Sequence, residues 1–340
     1  RSADLHFVFN VAKEISKNIN KFKIIVNKST VPVTTGDKIE KIILKKTRKK
    51  MFEVVSNPEF LREGEAIRDF RFPDRIVIGS NNKRATKKMQ SLYDPLIKKG
   101  AKFFSTSRRG AEIIKYASNA FLATKISYIN EIANLCEKTD VNIEDVSIGI
   151  GLDQRIGSRF LRAGPAYGGS CFPKDTKAIT VTGDLFKTDL SIIKSVIKSN
   201  EKRKKLLTEK IIKILSNKIK NKKIAFLGVT FKPNTDDMRE SSSLLMIPFL
   251  LKKGAIINYY DPSGIKNEFS KYKNLLFCND INKACSNVDL VIIHTEWEEF
   301  KALDFRKLNK KKKFKIYDMR NLYSAESMKK KGLSYYSIGR

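Results

Sequence analysis

The stretch Gly168-Gly169-Ser170-Cys171-Phe172-Pro173-Lys174-Asp175 gathers the residue types of covalent catalysis in one octet. Two glycines let the main chain approach a ligand with no Cβ in the way. Pro173 suits a first helical turn, where its missing N–H costs nothing. Cys171 is therefore expected at a helix N-terminus, where the dipole favours thiolate over thiol. Lys174 adds a cation beside it. Asp175, four residues on, lies one helical turn away and can bring a carboxylate over the sulfur. A thiolate with a neighbouring acid or base is the arrangement of nucleophilic catalysis. A structural cysteine ahead of an ordinary helix would need none of these neighbours.

Other segments offer partners for such a thiol. Lys115 and Asn119 are four apart and share a helix face. A cation and an amide donor together can hold an oxyanion, although alone they read as a polar stripe. Ser56-Asn57-Pro58-Glu59-Phe60-Leu61-Arg62-Glu63-Gly64 follows a strand, the place where open α/β sheets bind ligands. Of Glu59 and Glu63, one can act as a general base on water while the other positions substrate or cofactor. Equally, both can be helix-start acids that complement a dipole. Lys28-Ser29-Thr30-Val31-Pro32 also ends a strand, and its hydroxyls suit a cofactor, a water or a helix cap. In Phe231 to Glu240, Lys232 and Arg239 can meet phosphates, or the loop can pair with itself through Asp236 and Asp237. Arg320, just past a strand, is a similar candidate. His6, His294 and Trp297 read as structural.

The elements that must position these groups alternate. Apolar residues from Ala3 to Asn20 recur at helical spacing, then come strands at Phe22–Val26, Glu53–Val55 and Arg75–Ile78 with a helix at Gly36–Lys46 between the first two. Arg109 to about Glu137 fits one long buried helix and Leu190–Leu215 another. From Asn221 a second alternation begins, with strands at Lys223–Gly228, Ile256–Tyr260, Val288–His294 and Lys315–Asp318 and a helix at Ser241–Leu251, Pro248 being awkward within it. The fold class is α/β, with two doubly wound domains of parallel sheet. No GxGxxG occurs anywhere in the 340 residues, so the first domain reads as a cofactor domain lacking its start.

Composition narrows the class. Lys and Arg total 68 against 36 Asp and Glu, a formal charge of +32. The cations are scattered and accompany no nucleic-acid-binding signature, so they read as a solvated surface that also attracts anionic small molecules. Four irregularly spaced cysteines and two histidines give no metal pattern. Free thiols in a reducing, cytoplasmic setting are expected. The opening residues do not form a signal peptide, and the densest apolar run, Leu244–Leu251, is too short to span a bilayer.

Six segments, STVPVTTG, SNPEFLREG, IKYASNAFLATKISYINEIANLCE, GLDQRIG, GPAYGGSCFPKDTKA and FKPNTDDMRESSS, occur in an order that resembles the UDP-glucose/GDP-mannose dehydrogenase family, and within it the UDP-glucose 6-dehydrogenases. The resemblance covers nearly the whole chain. It implies the remainder of an NAD-binding domain (1–106), a central helical dimerisation domain with a long connecting helix (107–217) and a UDP-binding domain (218–340). It implies two hydride transfers to NAD⁺ that turn UDP-glucose into UDP-glucuronate, with Cys171 carrying a thiohemiacetal and then a thioester. Lys115 and Asn119 would stabilise oxyanions, Asp175 and Thr30 would order water, and Glu59 would act as acid and base. Ser29, Thr30, Glu63, Lys174 and Arg239 would touch NAD. Phe160, Leu161, Arg162, Tyr167, Gly168, Phe231, Lys232 and Arg320 would hold the UDP-sugar, with Glu59, Lys115 and Asn119 at its reacting end, and Arg155 would reach the partner's sugar site in a homodimer. A sister enzyme acting on GDP-mannose or a UDP-N-acetylhexosamine is the near alternative. The missing glycine loop leads to the expectation that the chain as given does not turn over NAD⁺ and only binds UDP-sugar.

Overall fold

The computed structural model describes residues 4–311 and 313–340. Ala3, the first residue of the expected opening helix, and Lys312, inside the Lys310–Lys313 run, lie outside the described residues. The chain forms two compact units: the described residues up to Phe121 together with Asp175–Leu190, and Leu122–Lys174 together with Ser191–Arg340.

The first unit begins with α1 (His6–Lys17), β1 (Lys23–Asn27), α2 (Thr35–Leu44), β2 (Phe52–Ser56), α3 (Ala66–Arg71), β3 (Arg75–Gly79), α4 (Lys83–Ile97) and β4 (Lys102–Thr106). The four strands form one sheet in the order β1-β2-β3-β4. Phe52 and Val54 point to the side packed by Ala12, Ile39 and Ile43 of α1 and α2, whereas Val55 joins Ile76, Ile78, Ala85 and Met89 on the side of α4. Both faces are thus covered by helices, and every residue of β2, with Ile76 to Gly79 of β3, is buried. β1–β2 and β3–β4 are parallel, but β2 and β3 meet only at Ser56 and Gly79, antiparallel. This departs from a wholly parallel sheet.

Four helices follow: α5 (Arg108–Thr139), α6 (Ile143–Gly151), α7 (Phe172–Leu185) and α8 (Ser191–Ile214). The second unit continues with β5 (Lys223–Leu227), α9 (Ser243–Lys252), β6 (Ile256–Tyr260), β7 (Leu275–Phe277), α10 (Ile281–Cys285), β8 (Leu290–Ile293), α11 (Phe305–Leu308), β9 (Lys315–Asp318), α12 (Ala325–Lys330) and β10 (Ser334–Ser337). Its six strands are all parallel, in the order β10-β9-β8-β5-β6-β7. Counted from β5, this is the doubly wound order whose direction reverses between β5 and β8, the crevice where such sheets take ligands. Every residue of β8, and β5 from Ile224 to Leu227, is buried. α9 runs through Pro248 and forgoes the hydrogen bond that its missing N–H would make.

Candidate active site

In the first unit, α5 lines up Glu112, Lys115 and Asn119, and all three are buried. Asn119 Nδ2 donates to Asp175 Oδ2 at 2.6 Å, which ties α5 to the first turn of α7. Lys115 Nζ lies 3.5 Å from Glu59 Oε1 and 5.1 Å from the centre of the Phe60 ring. The guanidinium of Arg75 sits 4.0 Å from that ring and reaches Ser118 Oγ. Tyr116, between Lys115 and Asn119, is held protonated by burial and then by the charges of Asp175 and Glu112. A cation, an amide and two carboxylates from three segments therefore sit in one unit.

Two sequence readings need correction here. Glu59 and Glu63 do not share a helix: residues 57–65 form a loop and α3 starts at Ala66. Glu59 bends back to accept the N–H of Leu61 at 2.6 Å, which aims its other oxygen at Lys115. Glu63, four residues on, sits half-buried in the same loop. Ser29 and Thr30 do not cap α2, which starts five residues after Thr30. Ser29 is exposed and Thr30 half-buried just beyond the carboxyl end of β1. That leaves their hydroxyls to other work.

Cys171 is exposed at the start of α7, whereas Cys136, Cys278 and Cys285 are buried. Ser170 Oγ lies 3.5 Å from its sulfur, and Lys174 is exposed in the first turn of the helix. The preceding glycines have a steric reason. A Cβ on Gly168 would come 2.7 Å from the carbonyl oxygen of Glu240, and one on Gly169, whose φ is +80°, would strike the Phe231 ring at 2.7 Å. The N–H of Gly169 bonds the carbonyl of Arg239 at 2.8 Å. The approach to the thiol is thus laid against the 231–240 loop. Phe160 and Tyr167 pack edge-on around Phe172, Leu161 is buried, and the main chain of Tyr167 is clamped on both sides by the Asn200 amide.

At the strand-order reversal of the second unit, Arg320 Nε donates to the carbonyl of His294 at 2.8 Å and its Nη2 to that of Phe231 at 3.0 Å. Arg162 Nη2 donates to the carbonyl of Arg320. Lys232 Nζ lies 5.3 Å over the Phe231 ring. Arg239 grips Asp237 with two hydrogen bonds of 2.8 and 2.9 Å, so the self-paired reading of this loop describes part of it. Arg155 is exposed and held the same way by Asp153.

His294, read from sequence as a strand-end residue, is the hub beneath Arg320. The Thr295 hydroxyl gives its one proton to the Thr230 carbonyl at 2.7 Å, so it accepts from His294 Nδ1 at 3.0 Å. Nε2 must then accept from Ser242 Oγ at 2.7 Å. Burial, aided by the charge of Arg320, pushes the imidazole pKa down to about 3. The folded state therefore refuses a proton that the unfolded chain takes below about pH 6.5. Stability contributed by neutral His294 is present above that pH and is lost as pH falls toward 3, by roughly 1.4 kcal/mol per unit at most. Between pH 6.5 and 4, denaturant unfolding is expected to cost the wild type about 3 kcal/mol more stability than His294→Gln. Equal losses in the two proteins would refute this.

NAD suits the first unit only in part. The hydroxyls of Ser29 and Thr30 and the loop bearing Glu59 and Glu63 stand at strand carboxyl ends, where ribose hydroxyls and a carboxamide find partners. The N-terminus of α2 cannot take a phosphate, because the Glu112 carboxylate fills it. Among the described residues no cluster of three or more His, Cys, Asp or Glu forms a metal site, and no helix is long and apolar enough to cross a membrane.

Three domain models of the UDP-glucose/GDP-mannose dehydrogenase family match the chain: the NAD binding domain over residues 1–97, the central domain over 109–202 and the UDP binding domain over 225–325. The UDP-glucose 6-dehydrogenase of Rickettsia felis is 47% identical over 340 residues, 99% of this chain and 75% of that protein. That of Rhizobium meliloti is also 47% identical, with 99% and 78% covered. The structure of a UDP-glucose dehydrogenase from Pyrobaculum islandicum superposes with a TM-score of 0.89 at 34% identity, covering 99% of this chain and 76% of that one. The expectation of a catalytically inactive chain finds no support in these matches, since the NAD binding domain model accounts for residues 1–97.

Proposed function

The chain belongs to the UDP-glucose/GDP-mannose dehydrogenase family, and from that premise we propose that it oxidises the primary alcohol of UDP-glucose to the carboxylate of UDP-glucuronate, with Cys171 as covalent carrier. The hydrogen bond between buried Asn119 and Asp175 carries the reading, because Asp175 lies one turn along the helix that Cys171 opens. NAD, when bound, supplies the two-electron acceptor for each oxidation. Glu59 takes the proton of the alcohol as the first hydride leaves. The Cys171 thiolate adds to the aldehyde carbon, and the carbonyl oxygen takes back the proton held by Glu59 to become the hydroxyl of a thiohemiacetal. Loss of the second hydride and of that hydroxyl proton leaves a thioester. Asp175 and Thr30 hold a water that attacks it, and the carbon–sulfur bond breaks to return the thiolate. Lys115 and Asn119 donate to the oxygen that carries negative charge at each addition. The thioester route keeps the half-oxidised sugar attached between oxidations.

The remaining roles follow the same premise. Ser29, Thr30, Glu63, Lys174 and Arg239 serve NAD. Phe160, Leu161, Arg162, Tyr167, Gly168, Phe231, Lys232 and Arg320 hold UDP-glucose, and Arg155, which is exposed, serves the site of a second subunit. The central stretch 107–217 is the dimerisation segment, in line with Tyr128, Leu135 and Ile148, large hydrophobic residues exposed on α5 and α6. Four free thiols suit a reducing, cytoplasmic setting. The test is stoichiometric. UDP-glucose with NAD⁺ is expected to yield two NADH per UDP-glucuronate with no free aldehyde. GDP-mannose and UDP-N-acetylhexosamines are expected to yield none. A single NADH per sugar, or turnover of those other sugars at an equal rate, would sink the reading.

A further inference from the structure

We infer that Glu112 is a positioning residue, whose carboxylate sets the register of the β1–α2 loop and of the end of β2 against the helix that bears Lys115 and Asn119. Glu112 Oε2 accepts the N–H of Thr34 at 2.8 Å. Its Oε1 accepts the N–H of Gly36 at 2.7 Å and the hydroxyl of Ser56 at 3.2 Å. The side chain is buried, and Lys115 follows three residues later on α5. The Thr34 loop is the one that carries Ser29 and Thr30. Ser56 opens the segment that ends in Glu59. Groups from three separate segments of the proposed machinery are thus referred to one carboxylate.

The local geometry is built for that carboxylate. A Cβ on Gly36 would sit 3.1 Å from Glu112 Oε1 and 3.2 Å from Ser56 Oγ, so the glycine leaves it room. α2 lacks a side-chain cap of its own, and its N-cap residue Thr34 has φ +78°, a conformation that β-branched residues avoid. Thr is a residue type that caps helices, but from this backbone the Thr34 side chain makes no capping bond. A carboxylate 76 residues away instead caps it and couples it to α5. The Glu112 oxygens accept from the N–H groups of Thr34 and Gly36 and from the Ser56 hydroxyl, and these bonds oppose the rise in pKa that burial imposes on the carboxyl.

The inference rests on the site reading above, and its test separates the two. That reading fails if Cys171→Ala retains wild-type NADH formation, before any Glu112 variant is compared. Glu112→Gln keeps the volume and one acceptor oxygen but turns a second donor toward the Thr34 N–H. Its kcat is expected to fall about 100-fold while its Kd for UDP-glucose stays within about twofold of the wild type. Thr34→Gly combined with Glu112→Gln covers the case in which the single variant does not fold, because glycine accepts this backbone conformation freely. The double variant is expected to regain thermal stability and to keep the loss in kcat. Wild-type kcat in the folded single variant, or its return in the double variant, would reduce Glu112 to a structural cap and overturn the inference.

Discussion

Cys171→Ala is expected to form no measurable UDP-glucuronate, a loss on the order of 10⁴-fold or more in kcat, because removing a covalent nucleophile removes the route and not one contact along it. UDP-glucose binding should survive, since the groups proposed to grip the nucleotide, Phe231 and Arg320 among them, belong to the second unit's loops. Cys171→Ser is the sharper form of the experiment. An oxygen nucleophile forms an ester, which water cleaves more slowly than a thioester, so a sugar adduct should accumulate on the peptide that spans position 171. Chemistry without any mutation should agree. Cys171 is exposed, while burial raises the pKa of the Cys278 thiol and pushes that of Cys285 up to about 12. The thiolate is the reactive form, and those two buried thiols are protonated near neutral pH. Brief treatment with iodoacetamide should therefore label Cys171 alone and abolish turnover in proportion. Labelling at Cys171 with full retained activity would exclude the thioester route.

How much of this was visible in the amino-acid order depends on how local each signal is. The octet around Cys171 carries its own logic: glycines for close approach, a proline for the first turn and an acid one turn on are short-range requirements. The strands with long β-branched or aromatic runs, such as Lys223–Leu227 and Leu290–Ile293, were legible for the same reason. β7 and β10 were not, with three and four residues, because an edge strand of that length is defined by the neighbour it pairs with. Glu112 gave no local sign at all. Its partners Gly36 and Ser56 are 76 and 56 residues away, and only its spacing of three from Lys115 on a helix hinted that it faces the same way. His294 was legible as a strand end but not as a hub, since its role depends on Ser242 and Arg320 arriving from other loops. The 236–239 segment could pair with itself or with a ligand by charge alone, and the fork of Arg239 on Asp237 is set by the turn of the folded loop.

Lys115→Ala is expected to lower kcat about 10²- to 10³-fold, the loss found when one donor to a developing oxyanion is removed. Its effect on stability should be small, about 1 kcal/mol or less. The asymmetry follows from the surroundings. Lys115 is the buried member of its pair, with a side chain 5% exposed, whereas Glu59 is 34% exposed and can turn to water. Deleting the buried partner removes its desolvation cost along with the attraction, so folding gains nearly what it loses. Catalysis has no such compensation, because the charge that develops on the substrate oxygen loses a donor. Thermal unfolding read beside kcat separates the two: a fall in kcat matched by a fall in folded fraction would remove Lys115 from the chemistry. Asn119→Ala extends the test to a cycle. If both residues donate to the same oxygen, losing the pair should cost less than the product of the single losses, since the first loss already misplaces the charge that the second stabilises. Independent losses that multiply would mean that the two groups act at different steps, with Asn119 serving only to hold Asp175.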